Sequence, residues 1–262
     1  MTPDAPTMTF VDLDEATVGI ATYGSGRPIL LLHGGAGPQS MIPFAELLSA
    51  RGDVSVLLPT HPGFGGTSRP ETLSGIPRLA ALYRDLLDHL DLHDVLVIGN
   101  SIGGWTAAEI GLLHTPRVIG LVLIDPVGIE VPGHPIADFY ALTMDEVFDR
   151  SFHNPEPFRV DPTTLPPQAQ AIAAGNRAAL NAYAGTAMCD PTLIEKLSAV
   201  KTSTLVLWGS ADRIADPDYG RAYAAAIPAA RFTVLPATGH SPQLETPAQT
   251  LDAVAESFLG DH

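Results

Sequence analysis

Short apolar runs alternate along this chain with longer stretches that have helical spacing. Several of the runs, such as PILLLH, VLVIG and TLVLWG, are continuously apolar, which is typical of parallel strands buried on both faces. The pattern predicts eight strands, at Thr7–Leu13, Thr17–Tyr23, Ile29–His33, Val54–Leu58, Val95–Gly99, Val118–Asp125, Thr204–Gly209 and Arg231–Leu235.

Segments with apolar residues at helical spacing lie between these runs. The predicted helices are Gly75–Leu92, Gly103–His114, Asp218–Ala226 and Pro247–Leu259, the last with Thr246 as N-cap. Such alternation indicates an α/β fold, with a mostly parallel eight-stranded sheet and helices on both faces. No helix separates the first two runs, so we expect them to form an antiparallel hairpin at the sheet edge.

The interval from Pro126 to Ser203 is too long for a single crossover helix. It contains a capping box at Thr143–Glu146, an Ala-rich helix Pro167–Ala184 with Gly185 as its stop, and a helix that begins at Asp190-Pro191 and ends near Val200. We interpret the interval as a helical lid over the carboxyl edge of the sheet. The alternative is an ordinary extra helical layer. The predicted division is residues 1–125 and 204–262 for the core and 126–203 for the lid.

The composition of the chain excludes several classes of partner and location. The 262 residues carry a formal net charge of -15, with 14 Lys+Arg against 29 Asp+Glu. Nucleic acids and anionic membranes both need basic patches, so neither is an expected partner. The sequence has no apolar run long enough to span a membrane and begins without a signal-peptide pattern, so we expect a cytoplasmic location. The single cysteine, Cys189, excludes an intrachain disulfide. The oligomeric state stays open.

The segment GNSIGG contains the first candidate for chemistry. It places Ser101 between a buried-type strand and a helix, where a sharp turn pushes the hydroxyl outward and small neighbours relieve the crowding. The backbone N–H of Ile102, at the start of the helix, is a candidate donor to a developing anion. We predict that Ser101 is a nucleophile. The alternative is a glycine-rich turn with an incidental serine.

The segment HGGAG follows the strand PILLL. Its small residues allow a substrate oxygen to approach the backbone closely, so the N–H of Gly35 is predicted to complete an oxyanion hole with that of Ile102. His33 is a possible base in the same segment. Because it precedes the flexible part of the loop, we expect it to be a structural hydrogen-bonding residue instead.

Two later residues complete a possible triad. Asp212 and His240 each follow a predicted strand, and loops after successive parallel strands meet at one sheet edge. His240 is predicted to take the Ser101 proton, and Asp212 to orient His240. Either residue could instead be an ordinary loop residue, and Asp125, also at a strand end, is a competing acid.

Other acidic residues near these loops have simpler interpretations. Asp216 and Asp218 are expected to cap the helix that follows, and Glu245 is expected to serve the start of the last helix. The nine histidines form no metal-binding pattern, and no phosphate-binding or dinucleotide-binding glycine motif occurs. We therefore predict no metal and no cofactor, which triad hydrolysis does not require.

Five segments together resemble the α/β-hydrolase superfamily over nearly the whole chain. In chain order they are HGGAG, HPGFGGTS, GNSIGG, LVLWGSAD and GHSPQLE. The resemblance implies an oxyanion loop in the first, a nucleophile elbow in the third, and acid and histidine loops in the last two. Two positions depart from the family's frequent pattern: Thr60 replaces an Asp, and Asp216 stands where a Pro is common, with Pro at 217. Neither departure touches the predicted triad.

The elbow residue separates related chemistries. Haloalkane dehalogenases and epoxide hydrolases of this fold use Asp there, so Ser101 argues against both. GNSIGG is similar to the elbow of meta-cleavage product hydrolases, which break C–C bonds. HGG is also similar to proline iminopeptidases, but their longer HGGPG pattern is absent.

Hydrolysis of a small carboxylic ester is the leading hypothesis for function. C–C bond hydrolysis of a vinylogous diketone is the second, and lactonase, amidase or lyase activities are further options. A ligand receptor on the same fold, with slow turnover, belongs to a different class. Multiple turnover of p-nitrophenyl esters would distinguish an esterase from a receptor.

The residues of the predicted lid also indicate the class of substrate. Its large apolar side chains should in part face the carboxyl edge of the sheet, since helices bury their apolar stripe. Arg150, Arg159 and Arg177 are its arginines. Any of them could bind a substrate carboxylate, but we expect solvated helix surfaces for all three. The prediction is a small-molecule pocket that prefers neutral, short-to-medium acyl esters.

Overall fold

An eight-stranded sheet forms the centre of the molecule in a computed structural model, which describes residues 5–260. Each predicted strand is present, with ends within two residues of the prediction. The strands β1 to β8 are Thr7–Asp12, Thr17–Gly24, Arg27–Leu32, Val54–Pro59, Val95–Asn100, Val118–Ile124, Ser203–Gly209 and Arg231–Leu235.

The sheet is mostly parallel, as predicted. Its order is β1-β2-β4-β3-β5-β6-β7-β8. Strands β1 and β2 form an antiparallel hairpin at one edge, with Thr7 opposite Thr22, and β2 is antiparallel to β4. All the pairs from β4 to β8 are parallel. The carboxyl ends of β5, β6 and β7 therefore lie side by side, and the loops that leave them meet.

Helices cover both faces of the sheet. The helices α1 to α9 are Ile42–Ser49, Ile76–His89, Ile102–Leu112, Met144–Ser151, Pro167–Ala184, Leu193–Lys196, Pro217–Ala226, Pro242–Glu245 and Pro247–Val254. Short 3-10 turns occur at Pro38–Ser40, Glu156–Phe158, Pro162–Thr164 and Leu197–Ala199, and a π-helical segment at Ala255–Leu259.

The helices differ from the prediction at several points. Helix α1 was not predicted, because its sequence IPFAELLS has a single charged residue and shows no polar face. The last helix leaves the α conformation after Val254, and the side chain of Thr246 makes no capping bond there but pairs with Thr238. The helix expected from Asp190 to Val200 begins only at Leu193, and α6 is followed directly by the 3-10 turn Leu197–Ala199. Asp190 instead accepts hydrogen bonds from the backbone N–H and the hydroxyl of Thr192.

Strand residues alternate between two apolar cores. In β3, Leu30 and Leu32 face one core, together with α2, α3 and α7. Ile29 and Leu31 face the other, together with α1 and α9. Because side chains of successive strand residues point to opposite faces, a strand covered on both sides must be apolar throughout. The continuous apolar runs of the sequence have this cause.

The segment 126–203 links β6 to β7 and contains α4, α5 and α6. Thr143 and Glu146 form the expected capping box at the start of α4. Helix α5 ends at Gly185, which has a φ of 65° and whose N–H bonds to Asn181. The division of the chain into core and lid remains a prediction. Within residues 5–260, none of the helices combines the length and the apolar character that a membrane span requires.

Candidate active site

The turn between β5 and α3 holds Ser101 in a strained conformation. Its φ of 56° and ψ of -117° are unusual for a residue with a side chain. The flanking glycines make the turn possible. A Cβ on Gly99 would lie 2.1 Å from the Gly103 carbonyl oxygen, and a Cβ on Gly103 would lie 2.4 Å from that of Leu32. The backbone therefore requires glycine at both positions, and the turn carries the serine hydroxyl to the carboxyl edge of the sheet.

Ser101, His240 and Asp212 form one hydrogen-bonded chain. The Ser101 hydroxyl lies 3.0 Å from Nε2 of His240, and Nδ1 of His240 lies 2.7 Å from Oδ2 of Asp212. The two histidine nitrogens have different roles in this arrangement: Nδ1–H donates to the carboxylate, and Nε2 accepts from the hydroxyl. All three side chains are buried. The structure thus brings together the three residues that the sequence singled out at separate strand ends.

The Asp212 carboxylate is fixed by its own loop. Its Oδ1 accepts backbone N–H bonds from Ile214 at 2.7 Å and Ala215 at 3.2 Å, while Oδ2 faces His240. Three donors therefore surround this carboxylate. Hydrogen bonds of this kind stabilise the ionised form of a carboxyl group.

Asp125, the competing acid, is close but has different partners. It ends β6, is fully buried, and its Oδ1 accepts the N–H of Gly209 at 2.9 Å. Among the described residues, the carboxyl group that bonds to His240 is that of Asp212, and Asp125 lies next to both without a hydrogen bond to the histidine. Burial, and then the Asp212 charge, raise the pKa of Asp125 well above its usual range. Of the two carboxyl groups, Asp212 is therefore the one in contact with the histidine.

Two backbone N–H groups beside Ser101 are available to a substrate oxygen. Within residues 5–260, neither the N–H of Gly35 nor that of Ile102 has an acceptor. Ile102 is the first residue of α3, so its N–H lies at the positive end of the helix. Gly35 lines the cavity at Ser101. The two predicted oxyanion donors are thus unpaired at the same edge of the sheet.

His33 supports the loop before Gly35 and does not contact the triad. Its Nδ1–H donates to the Gly34 carbonyl at 2.7 Å, and its Nε2 accepts the N–H of His61 at 3.0 Å. The His61 ring in turn bonds to the His33 carbonyl and to the hydroxyl of Tyr83. Burial lowers the pKa of His33 to about 4 and that of His61 well below its usual range, so both rings are neutral. This matches the structural role expected for His33.

Asn100 and Gln243 contribute to the site but were not found from the sequence. The Asn100 amide donates to the His240 carbonyl at 3.0 Å and accepts from the side chain of Gln243 at 3.2 Å. These bonds join the nucleophile turn to the histidine loop. The only signal in the sequence was their position next to Ser101 and within GHSPQLE.

The role predicted for Glu245 was wrong. Instead of serving the last helix, its carboxylate accepts N–H bonds from Gly239 at 2.6 Å, from His153 at 3.0 Å and from Asn154 at 2.7 Å. Two of these donors belong to the segment 126–203. Glu245 thus ties the histidine loop to that segment, a contact between residues about ninety positions apart that no local pattern signals. Asp216, by contrast, caps α7 as expected, through the N–H groups of Asp218 and Tyr219.

A cavity of about 410 Å³ opens onto Ser101 and His240. Most of its wall is apolar. The large apolar side chains of the segment 126–203 were expected to face this edge in part, and nine of them line the cavity: Ile136, Phe139, Met144, Val147, Phe148, Phe152, Phe158, Leu180 and Met188. The size and character fit a small organic molecule.

 

Arg177 is the charged residue among the side chains that line this cavity. It was expected on a solvated helix surface, but its half-buried guanidinium packs over the rings of Phe139 and Tyr140 and donates to the Tyr140 carbonyl at 3.0 Å. Among the described residues it has no carboxylate partner. Arg159 instead lies in an exposed ion-pair network with Asp145, Asp149 and Glu156, as a surface arginine would.

One group of metal-ligating residue types converges within the described part of the chain. Single atoms of Asp125, Asp212 and His240 all lie within 4.8 Å of one another. One hydrogen bond and the strand order account for this convergence, because His240 donates to Asp212 and Asp125 follows β6, the strand paired with β7 that leads into the Asp212 loop. Hydrogen bonds thus join a hydroxyl, an imidazole and a carboxylate in series, a geometry that permits proton transfer.

Comparison of the sequence with known protein families identifies the family of this chain. A family model described as the alpha/beta hydrolase family matches residues 29–253. The chain belongs to the alpha/beta hydrolase family. A curated relative within this family, the 2-hydroxy-6-oxo-6-(2'-aminophenyl)hexa-2,4-dienoic acid hydrolase of Metapseudomonas resinovorans, is 26% identical over 95% of this chain and 90% of its own length.

Solved structures of other alpha/beta hydrolases share the fold. A serine hydrolase involved in carbazole degradation superposes with a TM-score of 0.78 at 21% identity, covering 97% of this chain and 99% of its own. A thermophilic esterase from Thermogutta terrifontis gives a TM-score of 0.73 at 24% identity, covering 97% of each chain. At these identities the likeness establishes the alpha/beta hydrolase fold.

Proposed function

We propose that this protein is a serine hydrolase of small, neutral carboxylic esters that works through an acyl-enzyme intermediate. Ser101 is the nucleophile, His240 the general base and acid, and Asp212 the carboxylate that orients His240. The N–H groups of Gly35 and Ile102 form the oxyanion hole. The observation that carries the proposal is the continuous hydrogen-bonded chain from Ser101 to Asp212 at the wall of an apolar cavity.

The first half of the reaction makes the acyl-enzyme. The Ser101 oxygen attacks the ester carbonyl while its proton moves to Nε2 of His240, 3.0 Å away. Asp212 stabilises the resulting imidazolium, and the two N–H groups receive the negative oxygen of the tetrahedral intermediate. His240 then returns the proton to the departing alkoxide, so the alcohol leaves neutral.

The second half releases the acid. A water molecule gives a proton to His240 and attacks the acyl carbonyl, and the Ser101 oxygen leaves with that proton. No cofactor takes part in these steps. The groups that move protons are Ser101 and His240, which are joined by one hydrogen bond.

The segment 126–203 is proposed to be the lid that selects the substrate. Its apolar side chains line the cavity, and the N–H of His240 donates to the carbonyl of Ser151, at the end of α4, at 2.7 Å. A cavity of about 410 Å³ leaves room for a short acyl chain rather than a lipidic one. We expect a preference for acyl chains of roughly two to six carbons, from the size of typical small-molecule pockets.

A second candidate function is hydrolysis of a C–C bond in a vinylogous diketone that bears a carboxylate. The observation that favours it is the guanidinium of Arg177, which lines the cavity without a carboxylate partner among the described residues. A substrate carboxylate would supply that partner. The 26% identical relative is named as a hydrolase of a dienoic acid, which is a substrate of this chemical class.

The test is a substrate panel measured on matched variants. Wild-type protein should turn over p-nitrophenyl acetate and butyrate many times, and Ser101→Ala and His240→Ala should not. Efficient cleavage of a 2-hydroxy-6-oxo-dienoate with negligible ester turnover, and its loss in Arg177→Gln, would move the assignment to the second candidate. A single slow turnover together with a ligand-induced rise in Tm would indicate a receptor instead.

A further inference from the structure

A fully buried carboxyl group lies behind the Ser101–His240–Asp212 chain and has no part in the proposed steps. Asp125 follows β6 in a left-handed conformation, with a φ of 43°. Its Oδ1 accepts the N–H of Gly209, at the end of the neighbouring strand β7. Its Oδ2 is buried and has no ordinary donor in the described part of the chain. The group facing it is the Asp212 carboxyl.

Two carboxyl groups that face each other in a buried site are most stable when they hold one proton between them. Single atoms of Asp125, Asp212 and His240 lie within 4.8 Å of one another, so a second negative charge on the carboxyl pair is disfavoured. The hydrogen-bond donors decide where the proton sits. Asp212 receives three, from Ile214, Ala215 and His240, whereas Asp125 receives one. The proton therefore belongs to Asp125, in agreement with the raised pKa of that residue.

We propose that Asp125 is a protonated positioning residue whose O–H donates to the Asp212 carboxylate, so that the site is a chain of four side chains rather than three. This proposal rests on the proposed role of Asp212 as the partner of His240. The donated proton holds the Asp212 carboxylate in place. It also withdraws charge from that carboxylate, and so limits how strongly Asp212 favours protonated His240.

Within residues 5–260, the charged side chains recorded near this pair on the Asp212 loop and after the histidine loop, namely Arg213, Asp216 and Glu245, have partners of their own. Asp216 pairs with His134. The guanidinium of Arg213 donates to a backbone carbonyl of α4, and Glu245 accepts three backbone N–H groups. The charges that act directly on the Asp125 proton are therefore those of Asp212 and, through it, His240.

The test compares a substitution that keeps the hydrogen-bonding groups of Asp125 with one that removes them. Asp125→Asn keeps a buried N–H donor toward Asp212 and an oxygen for the N–H of Gly209, whereas Asp125→Ala removes both. We expect Asp125→Ala to lower kcat/KM for p-nitrophenyl butyrate about ten- to a hundredfold, the usual effect of losing a hydrogen bond to a buried charge. The pH at which kcat/KM reaches half its plateau should move upward in this variant. Asp125→Asn should restore most of the rate and the wild-type profile.

A spectroscopic measurement keeps the test independent of activity and of Asp125→Ala folding. The difference infrared spectrum of wild-type protein minus Asp125→Asn near neutral pH should contain the C=O stretching band of a protonated carboxyl group. Absence of that band would overturn the proposal. So would an Asp125→Asn variant that folds but loses as much activity as Asp125→Ala, since an amide can replace a protonated carboxyl but not an ionised one. Failure of the proposed ester hydrolysis would appear separately, as missing turnover in wild-type protein with the band still present.

Discussion

Replacing Asp212 by asparagine tests the orientation of His240 with almost no change in shape. The carboxylate currently accepts the N–H groups of Ile214 and Ala215 on one oxygen and Nδ1–H of His240 on the other. The single oxygen of the new amide can accept either from the two backbone N–H groups or from His240, but not from both. A flipped amide would set its NH₂ group against both backbone N–H groups, and each buried donor left unpaired costs about 1–3 kcal/mol.

The amide oxygen should therefore stay with Ile214 and Ala215, and the NH₂ group should face His240. Nδ1 of His240 must then accept a hydrogen bond, which places the ring proton on Nε2. That nitrogen can no longer take the proton of Ser101, 3.0 Å away. Loss of the productive tautomer lowers kcat by about 10²–10⁴-fold, which corresponds to roughly 3–5 kcal/mol of transition-state stabilisation.

Steady-state hydrolysis of p-nitrophenyl butyrate measures this loss, with circular dichroism and thermal unfolding to show that the fold is intact. Asp218→Asn is a matched control, because it makes the same acid-to-amide change at an exposed residue of α7 whose carboxylate contacts Arg221. The control should keep wild-type activity. If Asp212→Asn retained more than a tenth of the wild-type rate, or if Asp125→Asn were the crippling change, the assignment of the acid would be wrong.

Three further outcomes follow from the structure. Ser101→Ala should lose about 10³-fold or more in kcat without unfolding, and a serine-directed phosphonate should label wild-type protein at Ser101 in peptide mass mapping. Gly99→Ala should prevent stable folding, since its Cβ would lie 2.1 Å from a backbone oxygen, whereas Gly175→Ala in α5, with nothing within 4 Å, should raise stability by about 0.5–1 kcal/mol in urea unfolding. The hydrogen bond that His134 donates to the Asp216 carboxylate raises the pKa of His134. The charged ring therefore stabilises the fold fully below its unfolded pKa of about 6.5 and loses this effect as pH rises through the higher folded value. The Tm deficit of His134→Gln should therefore be largest near pH 5–6 and vanish by about pH 9; a deficit that grows with pH would contradict the pairing.

The sequence by itself determined the sheet and the order of the loops that carry chemistry. Continuous apolar runs occur because strands covered on both faces need apolar residues at every position, and this requirement is local enough to read directly. The role of the glycines around Ser101 could also be predicted from the sequence, because each glycine is required by a backbone contact within or next to the turn. Helix α1 was missed because its eight residues carry a single charge, so burial on one side leaves no periodic trace.

Only the tertiary structure decided which side chains meet. Asp125 and Asp212 both follow strands whose carboxyl ends are adjacent, and no local pattern separates them; the choice depends on which carboxyl group contacts His240. Glu245 likewise looked like a helix-start residue, yet its partners lie about ninety positions away. Contacts of this range depend on how the whole chain packs. Local propensity sets strands and turns, whereas the direction of each buried polar side chain is set by donors and acceptors from distant segments.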